Sequence, residues 1–281
     1  MKADLHLHST ASDGRLSPAE VVRQAARLGL EVIALTDHDT VAGIPPAQEE
    51  AKSFPALIFI PGVEVATFVS NGEVHILGYF FDPFNPALVS TLEHLRQSRV
   101  ERARKILAKL EALGLPLSWE RILELSGGES LGRPHIAQAM VEKGYVADLR
   151  QAFLRYIGRG GPAYVEREHL SAEEGVRLIR TAGGLPVLAH PLDIAALPLE
   201  PVARRLKKQG LVGMEAHYGD YTPEQVGYLV GVARKLGLIP LGGSDYHGLE
   251  KGFDTPMGSI DIPREAVDRL LALVPRPVKA R

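Results

Sequence analysis

Short runs rich in Val, Ile and Leu alternate along this chain with longer segments of helical period, and this alternation constrains the fold more than any other feature. A strand of about five residues cannot bury itself alone, but a helix between two strands lets them lie side by side in parallel and covers the sheet they form. Seven such runs stand out: Lys2 to Leu5, Val32 to Thr36, Leu57 to Ile60 running on through Val63 to Thr67, Val74 to Tyr79, Pro186 to Ala189, Val212 to Ala216 and Ile239 to Gly242. Between the first two, Ser17-Pro18-Ala19-Glu20 supplies an N-cap, a proline at the first helical position and an acid at the third, and predicts a helix ending near Gly29. Ser171-Ala172-Glu173-Glu174 and Thr222-Pro223-Glu224 repeat that grammar, each ahead of a strand. The pattern predicts βα units around a parallel sheet, an α/β barrel.

The alternation breaks from Leu92 to Glu168. Arg96 to Leu113, Ser118 to Leu125, Arg133 to Lys143 and Asp148 to Tyr156 read as successive helices with no strand among them. The expected organisation is a barrel domain at 1–91 and 169–281 and an all-helical insertion at 92–168 that covers the active site. The insertion should return to the barrel through Gly158-Arg159-Gly160-Gly161-Pro162. Pro275 to Arg281 is a polar tail, expected to be poorly ordered.

Composition narrows the chemistry. The 281 residues include 32 Lys plus Arg, 34 Asp plus Glu, ten His and no Cys, for a formal net charge of −2. Disulfides, Fe–S clusters and cysteine nucleophiles are excluded, and any bound metal must take imidazole and oxygen ligands. A nearly balanced charge means that nucleic acid would be held by local cations rather than by a basic body. No apolar run approaches the roughly 20 residues that cross a bilayer, and Asp4 stands where a signal peptide needs apolar residues, so a cytoplasmic protein is expected.

Metal-capable side chains fall at or just after the ends of the expected strands. His6 and His8 follow the first, Asp37 and His38 the second; Glu64 is on the third and His75 on the fourth. His190 follows the fifth, Glu215 and His217 the sixth, and Asp245 and His247 the seventh. In a βα barrel the strand ends converge on one face, where active sites are built. His6 and His8, two apart on a strand, share a face and can grip one ion. Independent core histidines would not all sit at strand ends, so a multinuclear metal site is expected.

Asp4-Leu5-His6-Leu7-His8-Ser9, Ser12-Asp13-Gly14, Thr36-Asp37-His38-Asp39, Gly62-Val63-Glu64, Val74-His75-Ile76-Leu77-Gly78-Tyr79, Ala189-His190-Pro191 and Gly243-Ser244-Asp245-Tyr246-His247 together resemble the PHP (polymerase and histidinol phosphatase) family of metal-dependent phosphoesterases. The resemblance covers essentially the whole chain. It implies a distorted (β/α)7 TIM-like barrel and a cluster of three divalent ions, Mn, Fe or Zn. Carried over position by position, it implies one ion on His6, His8, Glu64 and Asp245, a second on Glu64, His75 and His190, and a third on Asp13, His38 and His247.

The long helical insertion resembles the branch of the family acting on nucleoside 3′,5′-bisphosphates and on short 5′-phosphorylated RNA. Gly132-Arg133-Pro134-His135 and Tyr156-Ile157-Gly158-Arg159 support that match, and they make Arg133, His135 and Arg159 the candidates for binding substrate phosphate. The expected reaction is attack of a metal-bound hydroxide on phosphorus at an ion pair bridged by Glu64, with His135, His217 or coordinated water as the proton donor. Tyr156, Tyr164 and Tyr218 are possible base-stacking platforms, and His94 and His169 read as surface residues. The alternatives are a histidinol-phosphate phosphatase and, in another class, a polymerase-associated accessory or binding module. The barrel is expected to occupy the chain from Met1 to near Pro275, which leaves little room for the latter.

Overall fold

The computed structural model describes residues 1–70, 72–126, 131–166, 169–193, 198–219, 221–249 and 254–274; the expected polar tail at Pro275 to Arg281 lies outside them. The chain divides into two compact units, Met1–Val89 with Leu170–Arg281, and Ser90–His169.

The first unit is a nearly closed, barrel-shaped sheet wrapped by helices. Its elements are β1 (Ala3–Leu7), α1 (Pro18–Arg27), β2 (Val32–Leu35), α2 (Ile44–Ala51), β3 (Ile58–Val69) and β4 (Gly72–Tyr79) before the second unit. After it come β5 (Leu170–Ser171), α7 (Ala172–Thr181), β6 (Leu185–Leu188), α8 (Leu199–Lys208), β7 (Gly213–Tyr218), α9 (Pro223–Leu236), β8 (Ile239–Gly243) and α10 (Arg264–Ala272). The sheet order is β1-β2-β3-β4-β6-β7-β8, with the two-residue β5 pairing on β3. Where the chain leaves β8, Asp245 donates its backbone N–H to His6 O and His8 donates to Tyr246 O, both at 3.0 Å, and these bonds bring the last strand against the first.

The alternation predicts a parallel sheet, and one strand departs from it. β4 runs antiparallel to both its neighbours, β3 and β6. The physical reason is the spacing: β3 and β4 pair down to Val69 and Gly72, a connection with no room for the dozen or more residues of a parallel crossover. Its reversed direction brings the N-terminal half of β4, with His75, to the end of the barrel where the other strands finish.

Alternate residues face inward. Ala3 and Leu5, Val32 and Ala34, Leu77 and Tyr79, Leu185 and Val187, and Ile239 and Leu241 form one buried cluster, completed by Ile262 and by Ala266, Val267 and Leu270 of α10. This apolar plug sits at the end where the parallel strands begin, and each fully buried aliphatic contributes about 1.5–3 kcal/mol. The outer faces of β1 and β2 pack Leu7, Ile33 and Leu35 on Val21, Val22 and Ala25 of α1. Leu5 and Leu7 should share a face by period two, yet one is inside and the other outside. A register irregularity between Asp4 and Leu7 reverses the phase, and it turns His6 and His8 inward above Leu5. Capping boxes at Ser17 with Glu20, Ser171 with Glu174 and Thr222 with Gln225 start three of the covering helices.

The second unit holds most of α3 (Pro86–Ala112), then α4 (Trp119–Leu125), α5 (Arg133–Glu142) and α6 (Leu149–Ala152), which continues as a π-helical turn over Phe153–Ile157. α3 starts ten residues before the expected Arg96, because Leu88, Leu92 and Leu95 already carry the buried helical period. Ala103, Ile106 and Leu110 of α3 pack with Ile122, Ile136, Met140 and Ile157 in a core of the unit's own. Among the described residues no helix is long and apolar enough to cross a membrane.

Gly243, where β8 closes on β1, tests the packing. A Cβ there would lie 2.3 Å from His6 Cβ and 2.7 Å from His6 N, so one strand must move. Gly243→Ala is expected to cost about 1–3 kcal/mol, read as a lower melting temperature of the metal-free protein; an unchanged midpoint would show that the closure is looser than described.

Candidate metal centre

Glu64, on β3, is fully buried, and its carboxylate faces five imidazoles. Oε1 lies 2.6 Å from His75 Nδ1 and 3.0 Å from His190 Nε2. Oε2 lies 3.0 Å from His38 Nδ1, 3.1 Å from His6 Nε2 and 3.3 Å from His8 Nε2. These rings come from five segments of chain: β1, the turn after it, the turn after β2, β4, and the turn after β6. Asp245, just past β8, adds Oδ1 at 3.2 Å from His6 Nε2 and 3.0 Å from His8 Nε2. Farther out, Asp13 lies 3.4 Å from His247 Nε2 and 3.7 Å from His38 Nε2. The rings of His8 and His247 stack at 4.1 Å.

Among the described residues, three sets of donor atoms are each close enough together to share an ion: His6, His8, Glu64 and Asp245; His8, Asp13, His38 and His247; and His38, Glu64 and His75. The first matches the expected set residue for residue. The second contains the expected Asp13, His38 and His247 with His8 added. In the third, His38 takes the place expected for His190, which stands beside it through its contact with Glu64.

The site's polar atoms fit a metal better than they fit one another. His8 Nδ1 and Nε2, Asp13 Oδ1, His38 Nδ1 and Asp245 Oδ1 are buried without a hydrogen-bond partner, although several lie within 3.3 Å of an opposite charge. Such atoms approach without pointing at each other, as donors do when they converge on a common ion. Nitrogen and oxygen donors of this kind suit Mn²⁺, Fe²⁺ or Zn²⁺.

The electrostatics say the same. Burial alone would push the imidazole of His8 down, but close contacts with Asp245 and Glu64 outweigh it and raise the ring to about 10. His75 rises to about 9 against its burial through Glu64, and His190 to about 10 through Asp193 and Glu64; His6 is held well above the ordinary histidine value by Asp245, Glu215 and Glu64. His38 goes the other way, to about 4, because burial exceeds the pull of Glu64 and Asp13. Glu64 and Asp245 stay well below the usual carboxylate range despite burial, since imidazoles surround them. The carboxylates thus demand positive charge, which protons on the rings supply when no metal does.

A second layer of carboxylates ties down the turns that carry these groups. Asp37 accepts from Ser9 N, Ser9 Oγ and Ser12 Oγ at 2.7–2.8 Å. Asp4 accepts from Ser244 N, Ser244 Oγ and Gly258 N at 2.6–2.9 Å. Asp254 accepts from the backbone of His247, Gly248 and Leu249. Of the four described non-glycine residues with positive φ, Asp39 (50°), His190 (20°) and Asp245 (57°) lie in the turns around this cluster, and Phe80 (57°) follows the other end of β4; holding such residues costs backbone strain.

Three expected residues have other places. His217 belongs to none of the donor sets: a register irregularity between Glu215 and His217 reverses the strand's phase, and Tyr218 reaches the centre instead. Its hydroxyl donates to Asp245 Oδ2 at 2.7 Å, and its ring lies 5.6 Å from His190. Tyr156 and Tyr164 lie in the helical unit against the guanidinium groups of Arg155 and Arg102. His94 and His169 are exposed.

The phosphate-binding candidates gather within the helical unit. Arg133 opens α5, sits 5.3 Å over the Phe153 ring and donates to Ile157 O at 3.4 Å. That bond brings the start of α5 beside the turn leading to the exposed Arg159. His135 Nδ1 accepts from Gly132 N at 3.1 Å, which leaves the proton of a neutral ring on Nε2.

Residues 4–158 match the PHP domain family model. The chain is 37% identical over 247 residues to a 5′-3′ exoribonuclease of Salmonella typhimurium, an alignment that covers 87% of this chain and 84% of the relative. It is 35% identical over 252 residues to a 3′,5′-nucleoside bisphosphate phosphatase of Chromobacterium violaceum, covering 89% and 88%. A solved structure of an amidohydrolase from Chromobacterium violaceum, with bound sulfate and no metal, is 34% identical with a TM-score of 0.81 over 97% of this chain and 96% of that one.

The raised histidines set the pH response. A histidine raised on folding adds stability that is fully present below its unfolded value near 6.5 and is lost as pH rises toward the folded value. His8, His75 and His190, at about 10, 9 and 10, therefore weaken the metal-free fold progressively above about pH 6.5, while the depressed carboxylates are ionised throughout that range. The melting temperature of metal-free protein should fall from about pH 7 to 10, and added divalent metal should restore more at the upper end, where protons compete less. A midpoint that rises over that interval would contradict these ionisations.

Proposed function

The chain belongs to the PHP domain family, and from that premise we propose that it hydrolyses phosphate esters of nucleotides, most of all nucleoside 3′,5′-bisphosphates and short 5′-phosphorylated RNA. The observation that carries this reading is the buried Glu64 carboxylate shared by five imidazoles, next to Asp13, Asp245 and His247. Three divalent ions, Mn, Fe or Zn, are assigned to His6, His8, Asp13, His38, Glu64, His75, His190, Asp245 and His247. The three overlapping donor sets support the count. Ions held there supply Lewis acidity toward water and toward phosphate oxygens.

The chain's own residues account for the rest. Glu64, common to two of the donor sets, would be shared between ions held there. Tyr218 holds the outer oxygen of Asp245, which leaves Oδ1 facing His6 and His8, where it would be available to an ion. Arg133, His135 and Arg159 are assigned to substrate phosphate: two guanidinium groups supply charge-assisted hydrogen bonds, and His135 supplies the proton on Nε2. The substrate class is supported by the two relatives named for an exoribonuclease and for a nucleoside bisphosphate phosphatase. Sulfate in the solved Chromobacterium violaceum structure accords with an anion-accepting site.

Release of phosphate from 3′-phosphoadenosine 5′-phosphate, of mononucleotide from short 5′-phosphorylated RNA and of phosphate from histidinol phosphate, assayed side by side, tests the reading. The first two should turn over and the third should not; preference for histidinol phosphate would overturn the substrate class. Asp13→Ala, Glu64→Ala and His190→Ala should abolish turnover. Arg133→Ala and Arg159→Ala should each raise KM about tenfold, the loss of one charge-assisted bond, with kcat little changed. Unchanged KM in both would remove the phosphate role.

A further inference from the structure

Glu215, fully buried on β7, belongs to none of the three donor sets, yet its carboxylate holds two of the assigned ligands at once. His6 Nδ1 lies 3.1 Å from Oε1 and 3.2 Å from Oε2, and the backbone N–H of His190 donates to Oε2 at 2.8 Å. On the opposite edge of the same ring, His6 Nε2 faces Glu64 and Asp245. A carboxylate behind an imidazole cannot share the ion that the front nitrogen binds. It can fix the tautomer, placing the proton on Nδ1 and the lone pair on Nε2. The bond to His190 acts on a different quantity: the backbone of that residue, with φ at 20°, leaves the strand's alternation, and the Glu215 acceptor holds the N–H in that conformation.

We propose that Glu215 is a positioning residue that sets the His6 tautomer and the His190 backbone together, and thereby sets how tightly the metal centre holds its ions. This inference rests on the metal-centre reading above. Its chemistry is specific because two N–H donors meet one side chain, and a carboxylate alone offers two acceptors. A glutamine of the same shape must turn its NH2 toward one of them. Facing His6, it drives the proton to Nε2 and removes the donor to the ion; facing His190, it breaks the backbone bond.

The experiment uses the full chain loaded with zinc, a diamagnetic probe ion, and compares wild type, E215Q and E215D by competition with a chromophoric chelator and by imidazole ¹⁵N NMR. Wild type should show His6 protonated at Nδ1 and coordinated through Nε2. E215Q should bind its weakest-held zinc about 10- to 100-fold less tightly and lose that His6 signature, whereas E215D, which keeps both acceptors, should bind more tightly than E215Q. Equal zinc affinity and an unchanged His6 tautomer in E215Q would overturn the inference, as would coordination of wild-type His6 through Nδ1. Should E215Q not fold, as judged by circular dichroism, the wild-type tautomer decides. A wild type that binds no zinc fails on its own, before any variant is compared, and would overturn the metal-centre reading itself.

Discussion

A carboxylate without solvent contact in the middle of a β-strand is the constraint on which the rest of this structure depends. Removing a charge of that kind from water costs several kcal/mol even after relaxation, and Glu64 regains it only through the five imidazoles within 3.3 Å. No single segment could deliver those rings. They arrive from strands on both sides of β3, and a sheet curled until β8 meets β1 gathers them. The barrel's two ends divide the labour: an apolar plug closed by α10 supplies the burial energy, and the opposite end spends it on charge.

The same economy explains the polar layer behind the metal-capable residues. Asp4, Asp37 and Asp254 each collect two or more N–H or O–H donors from turns, and Glu215 takes the His190 N–H while facing the His6 ring. Strained residues lie in those turns too, at Asp39, His190 and Asp245. Holding a non-glycine residue at positive φ costs on the order of 1–3 kcal/mol, which only a dense local network can sustain. Preorganisation of this kind lets ions bind to a site whose shape is already set.

Much of this was legible in the sequence. Apolar runs located the barrel strands, capping residues located helix starts, and metal-capable residues near strand ends pointed to the functional face. Period-two alternation even accounts for Glu64, in step with Ile60, and for His75, in step with Leu77 and Tyr79. Alternation fails where the chain breaks phase. His6 follows an inward Leu5, His190 follows an inward Ala189, and Tyr218 takes the place that alternation reserves for His217. Those shifts arise from ladder irregularities and positive φ values, which leave no local compositional mark because non-glycine residues adopt them. The reversed β4 was implied by a connection too short for a crossover, but seven similar apolar runs obscured it.

Metal stoichiometry tests the central claim most directly, measured by elemental analysis of the wild-type chain and of Glu64→Ala after saturation and dialysis. If one carboxylate serves adjacent ions, wild type retains about three divalent ions per chain and the variant loses more than one of them. Loss of no ion, or a wild type that retains none, would contradict Glu64 as the shared centre of the site.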